Sequence, residues 1–155
     1  MKIVKLTNGK DCLVDDEDFE ELNSFTWYEG TGGYAKRHKR INGKLTTIIM
    51  HRFISKCPEN KIIDHINQNT LDNRKSNLRI ADKSKNSMNR GKQKNNSSGY
   101  KGVYYDKRHN HYDSYITCNK KRTYLGSFKT AIEAAKAYNE AALIMHGKFA
   151  CLNEV

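Results

Sequence analysis

The chain has 155 residues, which allows one mid-sized domain or two small ones, and its 37% apolar and 29% charged content suits a small globular protein. The longest apolar runs are about five residues, and no positively charged segment precedes an apolar one near the start, so neither a membrane-spanning helix nor a secretory signal is predicted. The four cysteines are scattered without a C-x-x-C pair. This pattern favours free thiols in a reducing compartment and argues against a four-sulfur zinc site.

The positive charge of the chain is concentrated after residue 30. Residues 1–30 hold 3 basic and 8 acidic side chains, residues 31–155 hold 25 basic and 9 acidic ones, and the whole chain carries +11. Such an excess attracts polyanions, of which nucleic acid is the commonest, and binding is driven by release of counterions. A membrane surface is the less favoured partner, because the one long helix predicted below has an alanine-rich face instead of a broad face of large apolar residues.

A hairpin and an acidic helix are predicted at the start of the chain. Residues 2–14 alternate loosely between apolar and polar side chains around Asn8-Gly9, a hairpin turn signal. Residues 15–25 are typical of a short helix, with Asp15 or Asp16 as its N-cap. Acidic side chains crowd its first turn, where the helix dipole favours them.

A second, strongly basic hairpin is predicted at residues 33–50. Its strands, 33–41 and 44–50, flank Asn42-Gly43. Residues 51–56 are expected to form a short helix or turn that Pro58 ends. Trp27 and Tyr28 are predicted to be core aromatics of this N-terminal part.

The polar segment from residue 62 to residue 90 carries a motif. Asp64 and His65 are adjacent, Asn77 follows His65 by twelve residues and begins an Asn-Leu-Arg triplet, and Asn86 follows His65 by twenty-one residues. Together with Met50-His51-Arg52, this pattern resembles HNH nucleases of the phage and intron-encoded type, in which the last histidine of the name is replaced by asparagine. The resemblance covers about residues 30–90.

This resemblance implies a ββα unit around one metal ion, with the Asp-His pair on a strand and the last ligand on the following helix. Phosphodiester hydrolysis needs an activated water and neutralised charge on the phosphate. His65 is the predicted general base, because imidazole titrates near neutrality. Asp64 and Asn86 are the predicted ligands of one divalent ion, Mg²⁺ with Mn²⁺ as an alternative, and no zinc is expected. Asn77 is expected to hold the loop and to orient His65.

Other polar side chains near the motif have two interpretations each. His51 packs as a structural histidine, which is the favoured interpretation, or it helps to position the site. Arg74 clamps a phosphate, or it belongs with Asn73 to the structure of the loop. The remaining histidines have no partners at metal-ligand spacing and are predicted to lie at the surface or near DNA: His38, His109, His111 and His146.

A basic stretch joins the two halves of the chain. Residues 83–101, which include Arg90, hold six basic side chains and no acidic one, and their tail at Asn95-Asn96-Ser97-Ser98-Gly99 has the composition of a linker. The stretch is expected to track a DNA backbone. Three strands are predicted at 101–107, 112–118 and 122–128. A capping box at 130–133 then opens a helix to about residue 146, with a face made of Ala131, Ala135, Tyr138, Ala142 and Met145.

Strand alternation divides the side chains of this predicted sheet between two faces. The face toward the helix would carry Ile116, Cys118, Thr123 and Leu125. The other face, which we call the open face, is basic and aromatic and would carry Lys101, Tyr104, Tyr115, Thr117, Arg122 and Tyr124. Such a face suits insertion into a DNA major groove, although a basic face that is merely solvated is the alternative.

Short motifs in this half resemble the APETALA2-type DNA-binding domain over residues 98–153, namely Ser98-Gly99-Tyr100-Lys101-Gly102-Val103, Tyr124-Leu125-Gly126-Ser127-Phe128 and the closing Leu152-Asn153. The resemblance implies that the three-stranded sheet lies in the major groove and contacts duplex DNA through the open face. Tyr104 and Tyr124 stand where plant members often carry Arg or Trp, so no base preference is implied.

Together these features predict an α+β protein, a ββα-metal nuclease module followed by a three-stranded antiparallel sheet packed on one helix. The predicted domains are a nuclease module with N-terminal hairpins at 1–91, a linker at 92–99 and a DNA-binding domain at 100–155. The predicted function is metal-dependent cleavage of double-stranded DNA by a monomer, without a membrane or an obligate protein partner. One catalytic centre per chain favours nicking of one strand unless two copies meet. The resemblance alone implies homing-type biology and a place in the cytoplasm of a bacterial host, encoded by a phage or mobile element.

Two other functions are kept open. A non-catalytic, sequence-specific DNA-binding regulator would need only the C-terminal half. An RNA-binding module would use the same charge, with tyrosines stacking on single-stranded bases.

Overall fold

The computed structural model describes residues 1–155, which divide into two compact units, Met1–Asp82 and Lys83–Val155. The division lies ahead of the linker predicted at 92–99. Side chains anchor the intervening segment within the second unit, since the Lys101 ammonium group donates to the Met88 carbonyl at 2.5 Å and that of Lys92 to the Gly99 carbonyl at 2.9 Å. No helix of the structure combines the length and the apolar character needed to cross a bilayer.

The first unit opens with the predicted hairpin and acidic helix. Strands β1 (Lys2–Lys5) and β2 (Asp11–Val14) pair antiparallel, and helix α1 (Asp16–Asn23) follows. Asp15 occupies the N-cap position, but its carboxylate accepts a hydrogen bond from the Lys75 amide at 2.7 Å instead of capping the helix. That bond ties the start of α1 to a segment sixty residues further along the chain.

The main core of the first unit lies between these elements and the basic hairpin. Trp27 is fully buried and donates its indole N–H to the Leu22 carbonyl at 2.8 Å, which confirms it as a core aromatic. Tyr28 is only half-buried, and its hydroxyl lies 2.8 Å from Nε2 of His38. The other buried members of this core are Val4, Leu6, Cys12, Val14, Leu22, Ala35 and Met50.

The basic hairpin lies where the sequence predicts it. Strands β3 (Tyr28–Glu29), β4 (Ala35–Ile41) and β5 (Lys44–Ile49) form one antiparallel sheet in that order. Asn42 and Gly43 turn the chain with φ of 49° and 75°, the left-handed conformation that tight hairpin turns require. Helix α2 (Met50–Ser55) follows and ends at Lys56, ahead of Pro58.

Strands β6 (Ile62–His65) and β7 (Leu78–Ala81) form a separate two-stranded antiparallel sheet. Residues 66–74 and a short 3₁₀ turn, Lys75–Asn77, connect the two strands. This connection docks on β2, because Leu13 exchanges backbone hydrogen bonds with Leu71 and Asn73, both at 2.8 Å. The Asp-His pair at the end of β6 is therefore held close to the main core.

The second unit begins with helix α3 (Lys83–Met88) and contains the predicted sheet and helix. Strands β8 (Val103–Asp106), β9 (His111–Cys118) and β10 (Lys121–Phe128) pair antiparallel in the order β10-β9-β8. Helix α4 (Ala131–His146) begins with the predicted capping box, in which Thr130 and Glu133 each bond the other's backbone N–H, at 3.1 and 3.2 Å.

The buried face of α4 is rotated from the predicted one. Ala135, Tyr138 and Ala142 are buried as expected, but Met145 is 37% exposed and Ala134 is fully buried. His146, predicted to lie at the surface, is 7% exposed, and its Nε2 lies 3.0 Å from the Thr117 carbonyl. Residues three and four positions apart lie on the same side of a helix, so residues 135, 138, 142 and 146 share one side of α4. Which side of α4 is buried depends on where the sheet packs.

Candidate active site

Asp64 and His65, at the end of β6, are both buried, with 4% and 5% of their surfaces exposed. The Asp64 carboxylate pairs with Arg79, whose Nε and one terminal nitrogen both lie 2.6 Å from Oδ2. Arg79 stands directly opposite Asp64 in the register of β6 and β7. Strand pairing thus supplies the cation that balances a buried carboxylate.

The imidazole of His65 is oriented by Asn73. Its Nε2 lies 3.2 Å from Oδ1 of Asn73, and the amide nitrogen of Asn73 donates to Sγ of Cys12 at 2.9 Å. Because that nitrogen is directed at sulfur, the amide oxygen accepts from Nε2–H of His65, which leaves the ring's lone pair on Nδ1. Asn73 is itself only 1% exposed, so the core fixes the orientation of the ring.

The surroundings of His65 favour its neutral form. Burial lowers its pKa below the ordinary histidine value, and this effect outweighs the hydrogen bond to Asn73 and the nearby charges of Asp64 and Asp72, which act in the opposite direction. The ring is therefore unprotonated at neutral pH. A general base must be in that state before it can accept a proton.

Two more rings enclose His65. The ring centroids of Tyr34 and His51 lie 5.9 and 5.1 Å from that of His65, and 5.0 Å from each other. Burial, followed by the charges of His65 and Arg52, lowers the pKa of His51 to about 3. His51 is therefore a buried, neutral packing residue, as the favoured interpretation predicts. It also borders the candidate base, so a role in positioning the site stays a prediction.

Asn77 shapes the loop between β6 and β7. Its Oδ1 accepts from the Asn67 amide at 3.0 Å, and its Nδ2 donates to the Asp72 carbonyl at 2.8 Å. The expected role in holding the loop therefore has a geometric basis. The expected role in orienting His65 needs correction, because the asparagine that contacts the imidazole is Asn73.

Arg74 is engaged inside the same loop. Its Nε and one terminal nitrogen donate to the two carboxylate oxygens of Asp72 at 2.7 and 2.6 Å, and Asn67 donates to that carboxylate at 2.8 Å. The bond from Arg74 holds the pKa of Asp72 below its usual value. This geometry favours the structural interpretation of Arg74, since a phosphate would have to share its guanidinium with Asp72.

Two predicted site residues lie in the second unit, outside the sheet. Asn86 is half-buried on α3, and Arg90 is exposed just after that helix. The proposed roles of Asn86 as a ligand and of Arg90 as a DNA contact rest on motif spacing and charge, and they stay predictions.

The sheet of the second unit brings five of the six residues predicted for the open face to one side. Thr117 pairs with Arg122 and Tyr115 with Tyr124, so these four alternate positions share a face with Tyr104. The Arg122 guanidinium lies 3.8 Å from the centre of the Tyr115 ring, and Tyr104 and Tyr124 are more than half exposed. This is the aromatic and basic surface that the alternation predicted.

Lys101 differs from the other five. Its ammonium group is held by the Met88 carbonyl, and burial lowers its pKa. A groove of about 600 Å³ runs beside it between the open face and residues 87–97. The groove carries Arg90, Lys92 and Arg122, so it is positively charged.

Several residues of interest carry little signal in the sequence. The sequence predicts Asn73 only as part of the loop, and no local spacing signals its contact with Cys12, which lies 61 positions away. Asp106, His109 and His111 have ligand atoms within 4.8 Å of one another, although no partner was predicted for either histidine. The signal for that cluster is a D-x-x-H-x-H spacing across a hairpin turn, which pairs Asp106 directly with His111.

Comparison with known proteins defines the family. Residues 48–88, from the end of β5 through α3, match the HNH endonuclease family. A protein of Acanthamoeba polyphaga mimivirus, described as an uncharacterized HNH endonuclease, is 32% identical over 153 residues, which cover 95% of this chain and 76% of the relative. The chain belongs to the HNH endonuclease family.

Membership of this family confirms the HNH resemblance and implies nuclease activity on DNA. The matched span contains Asp64, His65, Asn77 and Asn86. The match ends at residue 88, so it lends no support to the APETALA2-type resemblance of residues 98–153.

Proposed function

We propose that this protein is a metal-dependent DNA endonuclease in which His65 acts as the general base. The observation that carries the proposal is the buried, neutral imidazole of His65, set by Asn73 with its basic nitrogen at Nδ1 and adjacent to the carboxylate of Asp64. Both residues lie in the span that matches HNH endonucleases.

In the proposed reaction, Nδ1 of His65 takes a proton from a water molecule as the water oxygen attacks phosphorus in line. The bond from phosphorus to the 3′ oxygen breaks, leaving a 5′-phosphate and a 3′-hydroxyl that gains its proton from solvent. A neutral base with a lowered pKa is ready for this step at neutral pH. Asn73 positions the base and does not touch the reacting atoms.

Asp64 fits a divalent ion by its chemistry, because carboxylate oxygens are the ligands that Mg²⁺ and Mn²⁺ prefer. It is buried and balanced by Arg79, so a cation bound there would share or replace the guanidinium at the carboxylate. When bound, such an ion neutralises charge on the phosphate and stabilises the departing oxygen. Asn86 is the proposed second ligand, on motif spacing alone.

The second unit is proposed to hold duplex DNA on its open face, in the manner of an APETALA2-type domain. The proposal is supported by the exposed tyrosines, by Arg122 stacked on Tyr115 and by the basic groove beside them. One catalytic centre per chain favours nicking of one strand by a monomer. Homing-type biology and action in the cytoplasm of a host cell belong to the same proposal, and the four free cysteines fit a reducing compartment.

One observation favours a second candidate, a DNA-binding regulator without activity. Oδ2 of Asp64 accepts a hydrogen bond from Nε of Arg79 and forms an ion pair with its guanidinium. A guanidinium that kept this position would exclude the ion and leave only the DNA-binding surface in use.

Cleavage of supercoiled plasmids that carry random inserts separates these candidates. We expect nicked product with Mg²⁺ and none with EDTA, and we expect His65→Ala to lower the rate by about 10²–10⁴-fold, the usual contribution of a general base. His38→Ala removes an exposed histidine and should cut like the wild type. Wild-type cleavage by His65→Ala would refute the assignment of the base, and DNA binding without cleavage in any divalent metal would favour the regulator.

Asn73→Ala tests the positioning role in the same assay. The variant should lose about 10–100-fold in rate, the usual cost of removing the partner that orients a functional histidine, with little change in the DNA concentration for half-maximal rate. Asn69→Ala, in the same loop but exposed, is the control. Equal loss in both variants would point to a general loosening of the loop.

A further inference from the structure

A cluster of potential metal ligands lies in the second unit, at the turn between β8 and β9. Oδ2 of Asp106 lies 2.9 Å from Nδ1 of His109 and 3.8 Å from Nε2 of His111. Oδ1 of Asp113 lies 3.1 Å from the same Nε2. The ligand atoms of Asp106, His109 and His111 all lie within 4.8 Å of one another at one end of the sheet, and Asp113 lies beside His111 outside this set.

The turn holds these ligands in place before any ion binds. The other oxygen of Asp106, Oδ1, accepts the backbone N–H of Arg108 at 2.8 Å and that of His109 at 3.4 Å. Asn110 adopts the left-handed conformation, with φ of 53°, and its side chain accepts from the Tyr105 hydroxyl at 2.7 Å. The rings of His109 and His111 stack with centroids 5.5 Å apart. Asp106, His111 and Asp113 sit on paired strands, which are rigid supports for a ligand set.

The donor set of two imidazoles and one carboxylate suits one kind of metal. Zinc bonds imidazole nitrogen and carboxylate oxygen at about 2.0–2.2 Å in a tetrahedron, whose edges are therefore about 3.3–3.6 Å. Oδ2 of Asp106 lies 2.9 Å from His109, in a hydrogen bond that the ion would replace, and 3.8 Å from His111. Imidazole suits zinc, cobalt and nickel, whereas Mg²⁺ prefers six oxygen ligands.

We propose that Asp106, His109 and His111 form a second metal site, made of other residues than the candidate nuclease centre, that binds Zn²⁺ or a similar transition-metal ion. Asp106, with Asp113 adjacent to His111, supplies the negative charge that a dication needs. Ser127, whose hydroxyl lies 2.5 Å from Asp113 and 3.1 Å from His111, supports both of these side chains from β10. The contacts of His109 and His111 correct the expectation that these histidines lack partners, and the proposed site departs from the expectation that no zinc is bound.

Metal titration of the full chain tests the site without DNA. After treatment with EDTA and its removal, we expect one Zn²⁺ per chain in competition with a chromophoric chelator, and a visible spectrum of tetrahedral type with Co²⁺. Removing a residue that only hydrogen-bonds a metal ligand usually weakens metal binding by about 10–100-fold. His109→Ala and His111→Ala each remove a ligand itself, so each should weaken Zn²⁺ binding by at least that much. His109 is two-thirds exposed, so its variant is expected to keep the fold.

Two control variants make the result specific. His38→Ala removes an exposed histidine of the first unit, and Asp64→Asn alters the candidate nuclease centre, so both should bind Zn²⁺ like the wild type. Unchanged Zn²⁺ affinity in His109→Ala and His111→Ala, or loss of the ion in Asp64→Asn instead, would overturn the proposal. Circular dichroism of each variant checks that an observed loss is not unfolding. Because no cleavage is measured, failure of the proposed nuclease activity would not alter these outcomes.

Discussion

Asn73 shows how much a single side chain decides in this protein. Its amide oxygen accepts from His65 and its amide nitrogen donates to Cys12, so one buried residue links the candidate base to the core of the first unit. The link sets the imidazole in the form that has its lone pair on Nδ1. Without Asn73, His65 would lose the hydrogen bond that holds the proton on Nε2 and leaves Nδ1 as the basic nitrogen.

His51 should make stability depend on pH. Its pKa is about 3 in the folded chain, against 6.5 for an ordinary histidine, so between these values the unfolded chain binds a proton that the folded chain does not. This contribution is fully present above pH 6.5 and is lost as the pH falls toward 3, by about 1.4 kcal/mol per pH unit. Burial of the neutral ring is the physical reason.

Urea unfolding followed by Trp27 fluorescence at about pH 7.5 and pH 5.5 measures this contribution. From pH 7.5 to pH 5.5, the free energy of unfolding of His51→Gln should fall by roughly 1 kcal/mol less than that of the wild type. His38→Gln is the matched control, because His38 is exposed and should leave the pH dependence unchanged. The same pH dependence in His51→Gln as in the wild type would mean that His51 is not the buried neutral group described here.

At the scale of elements, the second unit depends on a close approach between its sheet and α4. Gly102 precedes β8 with φ of 77°, and a Cβ atom there would lie 2.6 Å from both the Tyr115 carbonyl oxygen and a ring carbon of Tyr138. The alanines of α4 serve the same purpose from the other side, since Ala134, Ala135 and Ala142 are fully buried. Small residues on both partners let the backbone elements approach.

Gly102→Ala should therefore destabilise the protein more than Gly99→Ala. Both glycines have φ near 80°, so each substitution costs about 1–2 kcal/mol for the left-handed conformation. Only Gly102 adds a clash, worth about 1–3 kcal/mol, because a Cβ at Gly99 would meet nothing within 4 Å. Denaturant midpoints of the two variants measure the difference, and equal midpoints would contradict the tight packing of Tyr138 against Gly102.

At the scale of the whole molecule, the fold decides which surface each basic side chain occupies. The net charge of +11 explains attraction to a polyanion but not which surface binds it. In the second unit, pairing of β9 with β10 places Arg122 on the open face, and Lys121, the next position, alternates to the opposite side. Arg122 and Lys121 each add one positive charge to the chain, but only Arg122 lies on the open face.

Arg122→Ala should weaken binding of duplex DNA by about tenfold or more, within the 1–3 kcal/mol of a good arginine contact. Lys121→Ala removes the same charge from the other side of the strand and should have a clearly smaller effect. Fluorescence anisotropy with a labelled duplex at one fixed salt concentration measures both, because affinity for DNA depends steeply on salt. Equal effects would show that charge alone, and not the open face, governs binding.

The sequence by itself determined the features that depend on neighbouring residues. The Asn-Gly hairpin of β4 and β5, the capping box of α4 and the alternation along β9 follow from local backbone preferences, and the HNH motif follows from spacing along the chain. These signals were sufficient for those elements and for the family, whereas β3, β6 and β7 carry no clear local signal.

Only the tertiary structure decided which distant side chains meet. The pairing of Asn73 with His65 requires a loop docked on β2, the ligand cluster at His109 and His111 requires the register of β8 and β9, and the burial of His146 requires the sheet to cover one particular side of α4. The physical reason is the same in each case. A side chain's partner is fixed by packing between elements far apart in sequence, and local preference does not encode that packing.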